Sequence, residues 1–386
     1  MAPSTASTSS RRHAVTPPLR WDLFCSVVDN LGDIGVSWRL ARQLAAEHSA
    51  DVRLWVDDLA TFRRLAPSLD AHAMTQRLGD IEVRAWTKPF QMAEPADVVV
   101  ETFGCELPAE YVEAMAKRVR QPAWINLEYL SAESWVAGCH GLPSPHPRLP
   151  LVKYYFFPGF TAQTGGVLIE HGLPLRRQVF QDNTIPAFLD GLGVRTEPGE
   201  ILVSLFCYQQ APVDALLEAF AAGGRRVRVI SFEGTPGARA LEALGVDGHR
   251  GRGALAGEIL PFLTQDDYDK VLWACDWNFV RGEDSFVRAQ LAARPLAWQA
   301  YPQAGDAHRI KLEAFLGCYD VSPATSFDAF WLAWNGFTPA QSLAVAWAGC
   351  MENRERLEIA ARQWPLRLEA TGNLAGNLAQ FCAERV

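Results

Sequence analysis

The chain has 386 residues, 49% of them hydrophobic and 21% charged, so one large or two ordinary folded domains are expected and extended disorder is excluded for most of it. Its net charge of −8 argues against a general nucleic-acid binder, which carries a basic footprint. Apolar runs such as Val98–Val100 and Tyr154–Phe160 are short or broken by Pro and Gly, far from the roughly 20 residues of a membrane span.

Residues 1–19 are rich in Ser, Thr, Pro and Arg and lack the apolar core of a secretory signal, so they read as a disordered tail. Folding is expected to begin with a strand over Trp21–Val28, followed by a loop over Asp29–Gly35 and a helix over Val36–Glu47, where Val36, Leu40 and Leu44 share one face. Val52–Val56 reads as a strand, Leu59–Leu65 as a helix, Val98–Val100 as a strand, Ala109–Val119 as a helix and Trp124–Leu127 as a strand. The stretch from Gly141 to Gly191, dense in Pro, Gly and aromatics, breaks this rhythm and reads as the end of one domain plus a linker.

The alternation then restarts. Strands are expected over Ile201–Phe206, Val227–Ser231, Trp277–Val280 and Leu296–Gln299. Helices are expected over Val213–Ala222, Ala238–Leu244, Asp267–Ala274 and Ser285–Ala293, and a Trp-rich helical stretch over Ser326–Val386. Strands alternating with helices imply βαβ units and mostly parallel sheets. The domains expected are 20–180 and 190–364, with a C-terminal helix near 365–386 returning to the first. Ligands of such sheets bind beyond the carboxyl ends of the strands, so the loops after Val28, Phe206 and Val280 are the ones to inspect.

Three constellations lie there. Asp29-Asn30-Leu31-Gly32-Asp33-Ile34-Gly35 brings two carboxylates to a sheet edge with glycines that permit close backbone approach, but it is not the dinucleotide-binding G-x-G-x-x-G. Asp29 or Asp33 could act as a general base there, or simply cap the following helix. Arg281-Gly282-Glu283-Asp284-Ser285 opens a helix, combining an anion-friendly N-terminus with a guanidinium fork and a hydroxyl donor. Glu283 and Asp284 suit a ribose, a sugar or a cationic acceptor better than a phosphate; the bland alternative is a capping segment with a surface ion pair. Phe206 and Tyr208, after the strand over Ile201–Phe206, and Phe262 and Gln265 could stack on or bind a base, or could be core. The eight Cys show no C-x-x-C pair and the eight His no ligand spacing, so no metal site is indicated. Buried free thiols in a reducing cytoplasm are the expectation.

Three segments together carry a resemblance. They are Asp29-Asn30-Leu31-Gly32-Asp33-Ile34-Gly35-Val36-Ser37-Trp38-Arg39-Leu40-Ala41-Arg42, the run from Trp124 through Glu128 and Tyr129 to Trp135, and Arg281 through Phe286 to Arg288. They resemble the signatures of the EarP protein-arginine rhamnosyltransferases from about Trp21 onward. The resemblance implies an α/β GT-B glycosyltransferase, two Rossmann-like domains facing a cleft with a helical C-terminal tail. It implies transfer of L-rhamnose from dTDP-β-L-rhamnose to an arginine of translation elongation factor P, with inversion, in the cytoplasm, without a metal or other cofactor, nucleic acid or membrane. It assigns the general base to Asp33, acceptor positioning to Asp29, and donor contacts to Phe206, Tyr208, Phe262, Gln265, Arg281, Glu283, Asp284 and Ser285; on chemical grounds a second carboxylate, Asp29 or Glu283, could hold the remaining N–H groups of the acceptor guanidinium. The alternatives are a GT-B transferase with another nucleotide sugar or acceptor, and a non-catalytic nucleotide-sugar or protein-binding module.

Overall fold

The computed structural model describes residues 18–28, 31–319, 321 and 325–386. The first half runs β1 (Arg20–Cys25), α1 (Leu31–His48), β2 (Asp51–Val56), α2 (Leu59–Leu65), β3 (Thr75–Leu78), β4 (Ile81–Ala85), β5 (Val98–Thr102), α3 (Ala109–Ala116), β6 (Ala123–Leu127), α4 (Val136–Cys139), β7 (Pro143–Pro145), β8 (Val152–Phe156), α5 (Leu173–Asn183) and α6 (Ile185–Gly191). The second runs β9 (Ile201–Leu205), α7 (Val213–Ala222), β10 (Val227–Phe232), α8 (Pro236–Ala243), β11 (Leu255–Leu260), α9 (Gln265–Ala274), β12 (Trp277–Arg281), α10 (Asp284–Leu291) and β13 (Leu296–Gln299). Helices α11 (Ala307–Tyr319), α12 (Thr325–Trp334), α13 (Ser342–Glu352), α14 (Arg354–Ala370) and α15 (Leu374–Ala383) complete the chain.

Among the described residues the strands form two sheets, ordered β3-β4-β2-β1-β5-β6-β8-β7 and β11-β10-β9-β12-β13. The second is parallel throughout, and the first is parallel except where β3 and β7 add antiparallel edges. β1, β5, β6 and β9 are buried along almost their whole length because helices cover both faces, which is why they read as continuous apolar runs. The Trp-rich end packs on the second core, where Trp277 lies 5.0 Å from Trp347 and Phe279 lies 4.9 Å from Trp334. The last helix, α15, returns to the first half: Leu374 and Leu378 enter the core beside α1, and the Leu374 N–H donates to the Val167 carbonyl at 2.9 Å.

Several expectations are corrected. The first strand ends at Cys25, not Val28, and α1 begins at Leu31, so Gly32, Asp33 and Gly35 lie in a helix rather than a loop. Glycine disfavours helix, but here it permits contact: a Cβ on Gly35 would lie 3.2 Å from Asp284 Cβ. The stretch 141–191 is not merely a linker, since it holds β7, β8, α5 and α6. The β3–β4 hairpin, absent from the sequence reading, is a half-exposed edge turning at Gly79, which has φ +58°. The tail expected over 1–19 falls, up to residue 17, outside the described residues.

The halves are joined by a buried charge cluster. Arg39 of α1 grips Asp269 of α9 through two bonds of 3.0 and 2.8 Å and donates its Nε to Asp284 of α10 at 2.6 Å. Arg288 reaches the same Asp269 at 2.7 Å and Glu170, on the loop between β8 and α5, at 2.7 Å. Burial opposes the Glu170 charge, but the Arg288 and Arg39 guanidiniums outweigh it and hold that carboxyl at about 2.

Candidate active site

The carboxyl ends of β1 and β12 face each other, each followed by a helix whose N-terminus points at the cleft. After β1, Asp57 fixes the turn by accepting from Ser26 Oγ at 2.6 Å and from the Val27 N–H at 2.9 Å. Asp33 follows in the first turn of α1, where the helix dipole favours a carboxylate. It is 1% exposed; its Oδ2 accepts from the Val28 N–H at 2.9 Å and its Oδ1 from the Tyr129 hydroxyl at 3.1 Å. Asp29 lies outside the described residues.

Across the cleft, β12 ends at Arg281 and Gly282 turns the chain with φ +65° into α10. The Arg281 guanidinium lies 4.7 Å from the ring centres of both Phe206 and Tyr208, so the end of β12 and the loop after β9 form one cationic, aromatic unit. Ser285 is turned back, its hydroxyl donating to the Arg281 carbonyl. Glu283 is half-buried and accepts from the Leu130 N–H of the first half at 2.8 Å. Burial, reinforced by the neighbouring Asp33 and Asp284 charges, pushes the Glu283 carboxyl up to about 8, against the opposing pull of the Leu130 N–H and Lys311.

Asp284 and Gln265 have a use that spacing could not reveal. Asp284 Oδ1 holds Arg39, and its Oδ2 accepts from Gln265 Nε2 at 3.0 Å, while the same Nε2 donates to the Gly35 carbonyl at 3.1 Å. Both residues tie the halves together at the floor of the cleft.

Two adjoining pockets result. One, of about 550 Å³, has walls from Leu31, Leu65, Phe206, Phe232, Phe262 and Tyr268, with Arg281 and Ser285 at its edge. Its flat apolar walls suit a nucleobase. The other, of about 840 Å³, is lined by Asp33, Tyr129, Glu283, Tyr301, His308 and Lys311, and both pockets touch Gly32 and Gly282. Of the residues expected from sequence, Phe206, Phe262, Gln265, Arg281, Asp284 and Ser285 line the first, Asp33 and Glu283 the second, and Tyr208 packs on Arg281. Tyr268, Tyr129 and Lys311 are additions: Tyr129 stood in a quoted motif without a role, and Lys311, on a helix remote in sequence, left no signal. Among the described residues, no group of three or more His, Cys, Asp or Glu side chains is arranged to hold a metal ion. No helix of these residues is long and apolar enough to cross a membrane.

The family model for elongation factor P (EF-P) rhamnosyltransferase EarP matches residues 21–383. The chain belongs to the EarP family of protein-arginine rhamnosyltransferases. A curated protein-arginine rhamnosyltransferase of Pseudomonas putida KT2440 is 48% identical over 373 residues, covering 94% of this chain and 98% of the relative. A solved structure concerned with EarP-mediated arginine glycosylation of translation elongation factor EF-P is 36% identical with a TM-score of 0.65, covering 95% of this chain and all (100%) of that one. A UDP-glucosyltransferase from Polygonum tinctorium shares the fold alone, at 10% identity and a TM-score of 0.52 over 96% of this chain and 100% of that one. The chain is thus a GT-B glycosyltransferase: the two mostly parallel sheets are its Rossmann-like units and the pockets lie in the cleft between them.

Proposed function

We propose that this EarP-family enzyme transfers L-rhamnose from dTDP-β-L-rhamnose to an arginine side chain of translation elongation factor P, with inversion at the anomeric carbon, in the cytoplasm and without a metal. The observation that carries the reading is the junction of an aromatic pocket with a carboxylate-bearing one at Gly32 and Gly282. A thymine base fits the first, against Phe206 and Phe262. The diphosphate then lies toward Arg281 and the α10 N-terminus, where fixed positive charge stabilises the negative charge that grows as the leaving group departs. The sugar reaches the second pocket, where the acceptor guanidinium meets Asp33 and Glu283. The first half is the acceptor side, and the second holds the donor.

Guanidinium is protonated and delocalised, with a pKa above 12, so a carboxylate cannot deprotonate it beforehand. As a guanidino nitrogen bonds to the anomeric carbon and the carbon–oxygen bond to the diphosphate breaks, the electron pair leaves with dTDP. The nitrogen's proton passes to Asp33 in the same step. Attack from the face opposite the diphosphate converts the β donor into an α-rhamnosyl arginine. A second carboxylate, Glu283 or Asp29, holds the remaining N–H groups.

Incubating the protein with dTDP-rhamnose and elongation factor P should raise the factor's intact mass by one deoxyhexose, with EDTA leaving the rate unchanged. An unmodified factor under conditions where the enzyme binds dTDP would refute the acceptor assignment. Modification by another nucleotide sugar at an equal rate would refute the donor.

A further inference from the structure

We infer that Tyr129 is a positioning residue for the transfer step, aiming the Asp33 carboxylate at the acceptor guanidinium; the inference rests on the arginine-transfer reading above. The Val28 N–H holds Oδ2, and the Tyr129 hydroxyl holds the other oxygen, Oδ1, at 3.1 Å. Rotation about the last bond of an aspartate side chain is soft, with broad wells rather than sharp rotamers. Donors on opposite oxygens restrict that rotation and keep the carboxylate plane directed into the pocket.

The device is built from the ring outward. The Tyr129 ring stacks on Phe103 with centroids 4.3 Å apart and planes 15° from parallel. Phe103 itself has φ +59°, a left-handed conformation unusual for an aromatic residue. It is kept there from β6: its N–H donates to the Leu127 carbonyl at 2.7 Å, and the next N–H, of Gly104, to Asn126 Oδ1 at 3.0 Å. Strained backbone beside an active site persists where the surroundings over-determine it. Tyr129 is 38% exposed and lines the carboxylate pocket, so its ring is part of the cleft wall rather than of the core. Phe103 also packs against the first-half core, so the residue under the Tyr129 ring is anchored from below while the ring carries its hydroxyl to Asp33.

Tyr129→Phe removes the hydroxyl and keeps the stack. A hydrogen bond to a charged group is strong enough that its loss should lower kcat about tenfold or more. KM for both substrates and the Kd for dTDP should stay within about twofold, since the bond acts on Asp33 and not on binding. In an Asp33→Asn background the same change should cost nothing further. Wild-type kcat in Tyr129→Phe overturns the inference, and so does a full further loss in the Asp33→Asn background. A thermal-unfolding cycle of Tyr129→Phe with Asp33→Ala reads the pair without any reaction: non-additive Tm shifts support it, and additive shifts overturn it even in an active enzyme. Failure of wild-type transfer alongside non-additive shifts would instead strike the arginine-transfer reading.

Discussion

The two pockets that meet at Gly32 and Gly282 are built on opposite principles. The aromatic pocket takes its walls from residues of six separate segments, mostly aromatic and apolar, and its main charge is one guanidinium laid over two rings. The other concentrates carboxylates, with Asp33 and Glu283 from different halves close enough that the Asp33 charge helps raise the Glu283 pKa. Flat apolar walls hold a base through area and are tolerant of small changes. Carboxylates act on one atom and are not. Substitutions on the two sides should therefore fail in different ways: turnover on the carboxylate side, donor affinity on the aromatic side.

Asp33→Asn should separate them most sharply. It keeps the shape and removes the carboxylate proposed as the base, so kcat should fall by about 10²–10⁴-fold, the usual worth of general-base catalysis. Calorimetric titration with dTDP should give near-normal affinity. Near-normal turnover would remove the base from Asp33, and a parallel loss of donor affinity would move the residue to the other pocket.

Arg39→Ala tests the joint on which both pockets depend. Asp269 and Asp284 would each lose a partner in a mostly buried site, and breaking a buried pair by removing one side costs about 3–5 kcal/mol. A large drop in Tm is expected, with both donor affinity and turnover impaired. An unchanged Tm would mean that the halves are held together by other contacts.

Arg281→Ala should act on the aromatic side. Losing the guanidinium removes the charge proposed to meet the diphosphate and its contacts to the Phe206 and Tyr208 rings, so the Kd for dTDP should rise about 10–100-fold. Arg281→Lys should recover little, because lysine offers neither the planar fork nor the same stacking. Unchanged affinity in both variants would take Arg281 out of the donor site.

What the sequence made legible follows the same division. Asp33 and Glu283 stand in motifs next to sheet edges, where the rule that ligands bind beyond strand ends directs attention, and the structure brings both to one pocket. α2, α7 and β13 appear with the expected limits, because their apolar spacing is uninterrupted. The start of α1 was hidden by Gly32 and Gly35, which read as loop until Asp284 is seen pressed against Gly35. The use of Asp284 was hidden for the same reason: its partner Arg39 is 245 residues away, and no local pattern encodes that pairing. The aromatic walls were the least legible, since Phe206 or Phe262 in a core and in a pocket look alike until the fold shows which faces are open. β3 and β4 went unread because a half-exposed edge hairpin alternates polar and apolar residues without a continuous apolar run.

The smallest expected effect concerns the proton on Glu283. In the free enzyme this carboxyl titrates near 8, well above the ordinary value of 4.5, chiefly through burial with the Asp33 charge nearby. It is therefore mostly neutral at pH 7. Its unfolded counterpart already ionises near the ordinary value, so between about pH 4.5 and 8 the folded state binds more protons than the unfolded one. This group's contribution to stability is thus present at low pH and lost as pH rises through that window. An arriving guanidinium reverses the preference, since a cation beside the carboxyl favours its charged form. Binding of elongation factor P should release a proton at pH 7, visible by calorimetry in two buffers of different ionisation enthalpy. The acceptor KM should fall several-fold as pH rises toward 8 and then level. Glu283→Gln keeps an oxygen to accept the Leu130 N–H but cannot ionise, so it should flatten both the proton release and the pH trend while leaving the Kd for dTDP unchanged. A variant that still releases the proton would assign the titration to another group, and one that loses dTDP affinity would show that Glu283 belongs to the aromatic side of the cleft.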